Sequence, residues 1–568
     1  MTYGKAKASS CVLAAFLLMF VSTLSAAADT PVDSTTRTEV EARLAVAKQS
    51  FESNPNDQNR REYANTLFKL GDIGQAKDVF GSLGSESSTN PDDVKLGAKI
   101  TYLLGDYKRA EAMYKRLMQT TDRDSDLYTT AVKGLVLTYY QLNEYTKVKD
   151  IPSLDSTEAN QGVNSLLTFM KRFEGTPYRI EWKTADKVAT LPIINDFTQP
   201  GALPRVHLEI NGHQVEFILD TGGDRLYIDE GVAKEVGIKT ISKRRARYAY
   251  TKGEWVDEPL GVAETVTMGD VTLTNVPVIV AKWKVMGPTS DGVVTTQVLR
   301  QFLSTIDYDK KQIVFRERGV SGHRRLMASY GEKTPISLPF VMSGSHMMFT
   351  KGSLNGHQGM NMFMDCGLAA SMPLVIQDQT RQLLGLEKHD IDGTKMYWSP
   401  IEAYGIGTLV RGPAQALGNV TVEKDAYWAN GFIFDALISH QYLWHLGSWT
   451  IDFDNMTYYF PASAAQSVKT TSAATTTAQA KKIKIANPDQ YVGTYEIVPG
   501  TAFEISAANG TLFIQAPGQQ KIGLQAEPDG TFSIPLAGAT VTFERDADGT
   551  ITGLVLKQAG NETPATKK

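Results

Sequence analysis

Cysteine is nearly missing from this chain: two occur in 568 residues, Cys11 and Cys366. A framework of internal disulfides is excluded, and the fold must rest on its hydrophobic core. Histidine is sparse as well, with eight copies. None has the tight spacing of a metal site, and His440 and His445 would be poorly matched ligands, so neither metal nor cofactor is expected. A dominant charge is also lacking. Lys and Arg number 58 against 62 Asp and Glu, a net charge of −4, which offers no basic footprint for nucleic acid. Beyond the N-terminus, no stretch approaches the ~20 apolar residues of a membrane-spanning helix.

The start of the chain reads as a secretory signal peptide over residues 1–28. Lys5 and Lys7 are basic, Cys11 to Leu24 is mostly apolar, and Ala26, Ala27 and Ala28 offer a small-residue cleavage site. The expected product is periplasmic or secreted, with no transmembrane segment after signal removal. At 42% hydrophobic and 21% charged, it can bury a core, and its length suits three or four domains.

Residues 38–152 carry a helical repeat. Leu67-Phe68-Lys69-Leu70-Gly71-Asp72 is echoed by Thr101-Tyr102-Leu103-Leu104-Gly105-Asp106, and a looser copy ends at Asn143. Each copy places Gly or Asn where a helix can close in a left-handed cap, and Ala76 and Ala110 let the second helix pack closely. This segment resembles the tetratricopeptide family. The resemblance implies a surface for a protein partner; the other reading is a brace against the next domain.

The chain is organised around Val206 to Ile228. Val206, Leu208 and Ile210 alternate with polar residues as in a half-buried strand. Asn211-Gly212 marks a tight hairpin. Val215 to Leu219 then runs apolar into Asp220-Thr221-Gly222-Gly223. The pattern returns from Asn355-Gly356 to Asp365-Cys366-Gly367, and Asp365 lies 145 residues after Asp220. Asp291 to Leu299 is matched by Asp435 to Leu443, and Thr305-Ile306-Asp307 by Thr450-Ile451-Asp452. This is an internal duplication, with units at 175–318 and 334–461. Each unit ends a buried strand on a carboxylate beside a glycine, which lets another backbone come close. The run Lys243-Arg244-Arg245 reads as a solvated loop.

An Ala/Thr-rich linker occupies 462–486. Short alternating runs punctuated by glycines fill 487–560, a small all-β barrel that resembles the lipocalin-like domain appended to some bacterial hydrolases.

The paired motifs resemble retropepsin-like aspartic peptidases over about residues 175–460. The implied fold class is multidomain: helical repeats, a bilobal mostly-β acid-protease fold, then the barrel. The implied function is an exported aspartic endopeptidase acting on a peptide or protein substrate, in which two close carboxylates share a proton and activate water. Asp220 and Asp365 are then the catalytic pair. Thr221, Gly222, Cys366 and Gly367 support the loops, and Asp224 and Tyr250 are candidates for substrate binding. Tyr248, Tyr397 and Trp398 are candidates for a flap. Cys366 departs from the family's Thr or Ser, and the family's later glycine is replaced by Thr295 and Ser439. The alternative is a catalytically inactive peptide-binding scaffold on the same fold.

Overall fold

The computed structural model describes residues 35–568 except 199–201, 248–254, 283–289, 369–371, 392–395, 420–427, 430, 466–484, 486, 499–500, 509, 517–520, 535–537 and 559–560. The expected signal peptide, most of the linker, Tyr248 and Tyr250 lie outside the described residues.

The N-terminal region is helical. Asp57–Lys69 turns into Ile73–Phe80, Pro91–Leu103 into Tyr107–Thr120, and Asp126–Gln141 into a short 3-10 turn at Tyr145–Val148. Gly71, Gly105 and Asn143 take φ of 74°, 79° and 57°. In each case the cap N–H and the next N–H reach back to carbonyls of the last turn, as in Gly71 to Phe68 and Asp72 to Leu67. These are three Schellman closures at the three expected positions.

The helices do not stand apart. Leu67, Phe68 and Ile73 share a core with Phe349, Phe363 and Phe434, whereas Val132, Leu135 and Tyr139 share one with Leu260 and Ile279. Both halves of the duplicated region thus bury apolar surface against the helices. The Arg37 guanidinium, 3% exposed, pairs with the fully buried carboxylate of Asp435.

Among the described residues, the duplicated region forms one sheet of eight strands, one of fifteen and a small two-stranded sheet. In the first, Arg205–Ile210 and His213–Asp220 make a hairpin whose turn residues Asn211 and Gly212 have φ of 50° and 80°. In the second, Met347–Leu354 and His357–Met364 turn at Asn355 and Gly356, with φ of 47° and 83°. Both are the primed turns that match strand twist. Each hairpin's second strand has a parallel neighbour, Gly292–Thr295 beside Asp220 and Ala436–Ile438 beside Met364. The halves join where Leu303–Asp307 runs antiparallel to Ser448–Asp452, with the Thr305 and Thr450 hydroxyls 2.7 Å apart.

Lys243 and Arg244 are not in a solvated loop. They belong to the strand Lys239–Arg247, and each faces an acid on the next strand: Lys243 meets Asp257 at 2.5 Å and Arg244 meets Glu258 at 2.8 Å. Cross-strand neutralisation makes the basic run compatible with a sheet.

The C-terminal region is a closed eight-stranded barrel. Tyr495, Phe503, Leu512, Phe532, Val541 and Leu554 fill its interior. The last strand, Asn561–Lys567, pairs back onto the first and extends beyond the boundary expected at 560. Its polar, proline-containing sequence hides it from an apolar-alternation reading. The barrel packs on Met372, Met396 and Leu417 of the second unit. Among the described residues, no helix is long and apolar enough to cross a membrane.

Candidate functional site

The two hairpin strands deliver Asp220 and Asp365 to the same place. Asp220 ends His213–Asp220, held laterally by Thr295 in the parallel strand. Asp365 follows His357–Met364, and its N–H donates to the Ile438 carbonyl at 2.9 Å. Each carboxylate accepts from the glycine N–H two residues on: Gly222 to Asp220 at 2.6 Å and Gly367 to Asp365 at 2.9 Å.

Thr221 ties the loops together. Its hydroxyl donates to the Met364 carbonyl at 2.9 Å and accepts from the Cys366 N–H at 3.0 Å. From the other side, the Cys366 thiol lies within reach of the Thr221 hydroxyl and N–H. A thiol is a weak partner, so one half of the grip is strong and the other weak. Burial, and then the neighbouring Asp220 charge, push the thiol pKa up and keep it neutral. Gly367 is needed here because a Cβ would sit 2.1 Å from the Asp220 carboxyl. Gly223 does a related job: a Cβ there would lie 2.5 Å from the Thr295 methyl. Room for Thr295, where the resemblance expects glycine, thus comes from the facing loop. Ser439 donates instead to the Met372 carbonyl at 2.8 Å.

Electrostatics assign the proton. Burial raises the Asp220 pKa to about 6. Burial and then the Asp220 charge raise that of Asp365 well above the ordinary carboxyl range. Asp365 Oδ2 is buried with no donor facing it. The Asp220 and Asp365 carboxyls lie within hydrogen-bonding reach of each other, so the pair titrates as a unit, with the proton favoured on Asp365. Chemically this is one donor and one acceptor fixed side by side. Asp220 is 8% exposed and Asp365 is 0% exposed.

The other expected residues are placed differently. Asp224 is 9% exposed and already engaged: the Tyr227 hydroxyl donates to it at 3.0 Å, and Arg244 lies 3.7 Å away. Burial pushes its pKa up, but Arg225, Arg244 and His346 outweigh this and hold it at about 2. The Asp224 carbonyl accepts from the Tyr140 hydroxyl at 2.7 Å, which fastens the helical region to this loop. Tyr250 lies outside the described residues. Tyr397 is fully buried against Gly418, and Trp398 stacks on His389 at 3.9 Å; both are packing residues here. His346, which sequence reasoning missed, reaches the Gly222 backbone from the second unit and is 3% exposed. A lone histidine in a polar turn carries no signal of that placement. Among the described residues, no group of His, Cys, Asp and Glu side chains could hold a metal ion.

The family profile described as Aspartyl protease matches residues 206–298, and a Domain of unknown function (DUF3471) matches 477–566. None of the curated proteins compared with the chain matches it. Among solved structures, basic 7S globulin from soybean is similar at 10% identity, covering 50% of this chain and 96% of that one, with a TM-score of 0.31. Conglutin gamma, a basic 7S globulin from lupine seeds, is similar at 9% identity, 49% and 95% coverage, and a TM-score of 0.31. A retropepsin-like aspartic protease from Rickettsia conorii is similar at 15% identity over 25% of this chain and 94% of that one, with a TM-score of 0.18. With the Aspartyl protease profile lying across its first hairpin and carboxylate, the central region resembles an acid-protease-like fold.

Two of the solved structures that match about half the chain are named as globulins and not as peptidases. On that finding the expectation of an exported aspartic endopeptidase is corrected, and with it the assignment as an enzyme. The site offers a physical reason: hydrolysis needs water and a scissile carbonyl between the carboxylates, yet Asp365 is wholly covered and Cys366 stands in place of a hydroxyl. The comparisons also give no support to the tetratricopeptide, signal-peptide, secretion and periplasm expectations.

Proposed function

We propose that the chain is a catalytically inactive peptide-binding scaffold built on two acid-protease-like lobes, with Asp220 and Asp365 kept as a hydrogen-bonding pair. The observation that carries this reading is the buried pairing of the two loops, in which Asp365 and Cys366 are fully covered behind the Thr221 grip and only Asp220 keeps any exposure. Asp365, wholly covered, keeps its proton turned to Asp220, while Asp220, 8% exposed, offers a carboxylate oxygen as acceptor to a peptide N–H. The weak thiol at Cys366 and the cover over Asp365 support binding without turnover. The helical region acts as a brace between the lobes, a role supported by the apolar faces it buries against both sheets.

The test is a fluorescently labelled peptide library titrated into the full chain between pH 4 and 7, with each peptide's mass read after long incubation. Saturable binding, intact masses and weaker binding by Asp220→Asn are expected. Cleavage that disappears in Asp220→Asn would overturn the inactive reading, and absence of saturable binding would overturn the scaffold.

A further inference from the structure

The second unit holds a buried cation that the carboxyl pair does not use. Arg411 ends the strand Leu409–Arg411 and is 7% exposed. Its guanidinium carbon lies 5.7 Å from the centre of the Tyr442 ring. Its Nε meets no hydrogen-bond acceptor. Among the described residues, the ionisable groups that bear on it are the phenols of Tyr404 and Tyr442, and no carboxylate is one of them. The Tyr442 hydroxyl is committed elsewhere, donating to the Leu409 carbonyl. Arginine is seldom covered to this extent without an anion beside it.

Two residues beyond Tyr442 the chain holds a further donor. The Trp444 indole N–H is also buried without an acceptor. Trp444 stacks on His445 with ring centres 3.6 Å apart. Burial and then the Arg411 charge hold the His445 pKa at about 4, so that ring is neutral near pH 7. The Tyr404 and Tyr442 rings, 5.7 Å apart, supply aromatic surface. This corner is therefore rich in donors and poor in acceptors.

Arg300 in the first unit shows how another buried arginine is met. Arg300 directly follows the short helix Thr296–Leu299, as Trp444 and His445 follow His440–Leu443. Arg300 Nη2 donates to the carbonyls of Tyr140 and Gln141 and to Asn143 Oδ1. A helix C-terminus supplies acceptors there. Among the described residues nothing supplies them to Arg411.

We propose that Arg411, against the Tyr442 ring and with the Trp444 N–H as a second donor, forms a binding site for a carboxylate, either the free C-terminus of a peptide or a small organic acid. The planar guanidinium fork matches a carboxylate in shape and in unit charge, whereas a phosphate dianion would leave charge uncompensated. The site is separate from the carboxyl pair and does not rest on the scaffold reading.

Calorimetric titration of the full chain with 3-phenylpropionate, with N-acetyl-Phe-Phe bearing a free carboxylate, with the same dipeptide as its amide, and with inorganic phosphate tests the proposal. The free carboxylates should saturate one site and the amide and phosphate should not. Arg411→Met should weaken binding at least tenfold, and Trp444→Phe severalfold. If Arg411→Met does not fold, the ¹⁵Nε resonance of Arg411 in the unmodified chain replaces it and should shift on carboxylate addition. Binding of the dipeptide alone assigns the site to peptide C-termini, and binding of both acids assigns it to organic acids in general. Equal binding of acid and amide, binding unaltered by both substitutions, an unmoved arginine resonance, or no saturation by any carboxylate would each overturn the proposal.

Discussion

The Gly367 backbone lies directly against the Asp220 carboxyl, so that a Cβ at residue 367 would fall 2.1 Å from Asp220 Cγ. No rotamer change of residue 367 relieves this, since Cβ is fixed by the backbone. Gly367→Ala must push the two loops apart and stretch the Thr221 hydroxyl bonds to Met364 and Cys366. Overpacking of this kind costs roughly 1–3 kcal/mol. A fall in urea midpoint, together with a drop in the raised carboxyl pKa values followed by NMR, is the expected outcome. A variant with both properties unchanged would contradict the contact.

The pH dependence of stability follows from the same pair. The Asp220 pKa is raised on folding, from 3.8 to about 6. The folded state therefore holds more protons, and stability falls as pH rises through this window. The shift corresponds to about 3 kcal/mol at most, because the pair titrates together. Asp224 acts in the opposite sense: its pKa is lowered to about 2, so its contribution is present above pH 4 and is lost as pH falls towards 2. Asp220→Asn should thus gain on the unmodified chain between pH 4 and 7, by up to about 3 kcal/mol. Urea unfolding at pH 4, 5.5 and 7 measures the gap, and parallel curves would refute the assignment.

Much of this site was legible because it rests on backbone chemistry. The Asn-Gly turns at 211 and 355 require positive φ, and the structure has it. The left-handed caps at Gly71, Gly105 and Asn143 were legible for the same reason. The duplication placed Asp220 and Asp365 at matching strand ends before any contact was known. What sequence could not reveal is partnership. Thr305-Ile306-Asp307 reads as a repeat of Thr450-Ile451-Asp452, but nothing in the sequence makes the two copies neighbours. The basic run at Lys243 reads as a loop until Asp257 and Glu258 stand opposite. His346 and Arg411 become visible only once remote segments are brought to them.

The apparent independence of the helical region in sequence is a further case, and Arg37 tests it. Its guanidinium meets Asp435, whose Oδ2 also accepts the Asn361 N–H at 2.7 Å. Asp435 directly precedes the strand Ala436–Ile438, which runs parallel to the strand ending at Met364. Arg37→Met leaves a fully buried carboxylate with one partner fewer, a change that costs roughly 3–5 kcal/mol when a buried pair is broken. Arg37→Met combined with Asp435→Asn should recover most of this, because the uncompensated charge is gone while the Asn361 N–H keeps an acceptor. A double-mutant cycle in urea measures the coupling. Additive losses would show that the pair is incidental.

The last prediction concerns Cys366. It is 0% exposed, and burial raises its thiol pKa. Reaction with an alkylating agent requires both access and thiolate, and the folded chain provides neither. Labelling by iodoacetamide at pH 8 should therefore track opening of the two loops rather than intrinsic thiol reactivity. Peptide mapping separates Cys366 from Cys11, the other cysteine of the chain. In the native chain labelling of Cys366 should be slow, and it should become rapid across the same urea range that unfolds the central sheets. Gly367→Ala, which spreads the loops, should accelerate it at least tenfold without urea. Rapid native labelling would mean that the Thr221–Cys366 contact is open in solution, and the shared proton of Asp220 and Asp365 would then lose its water-excluding cover.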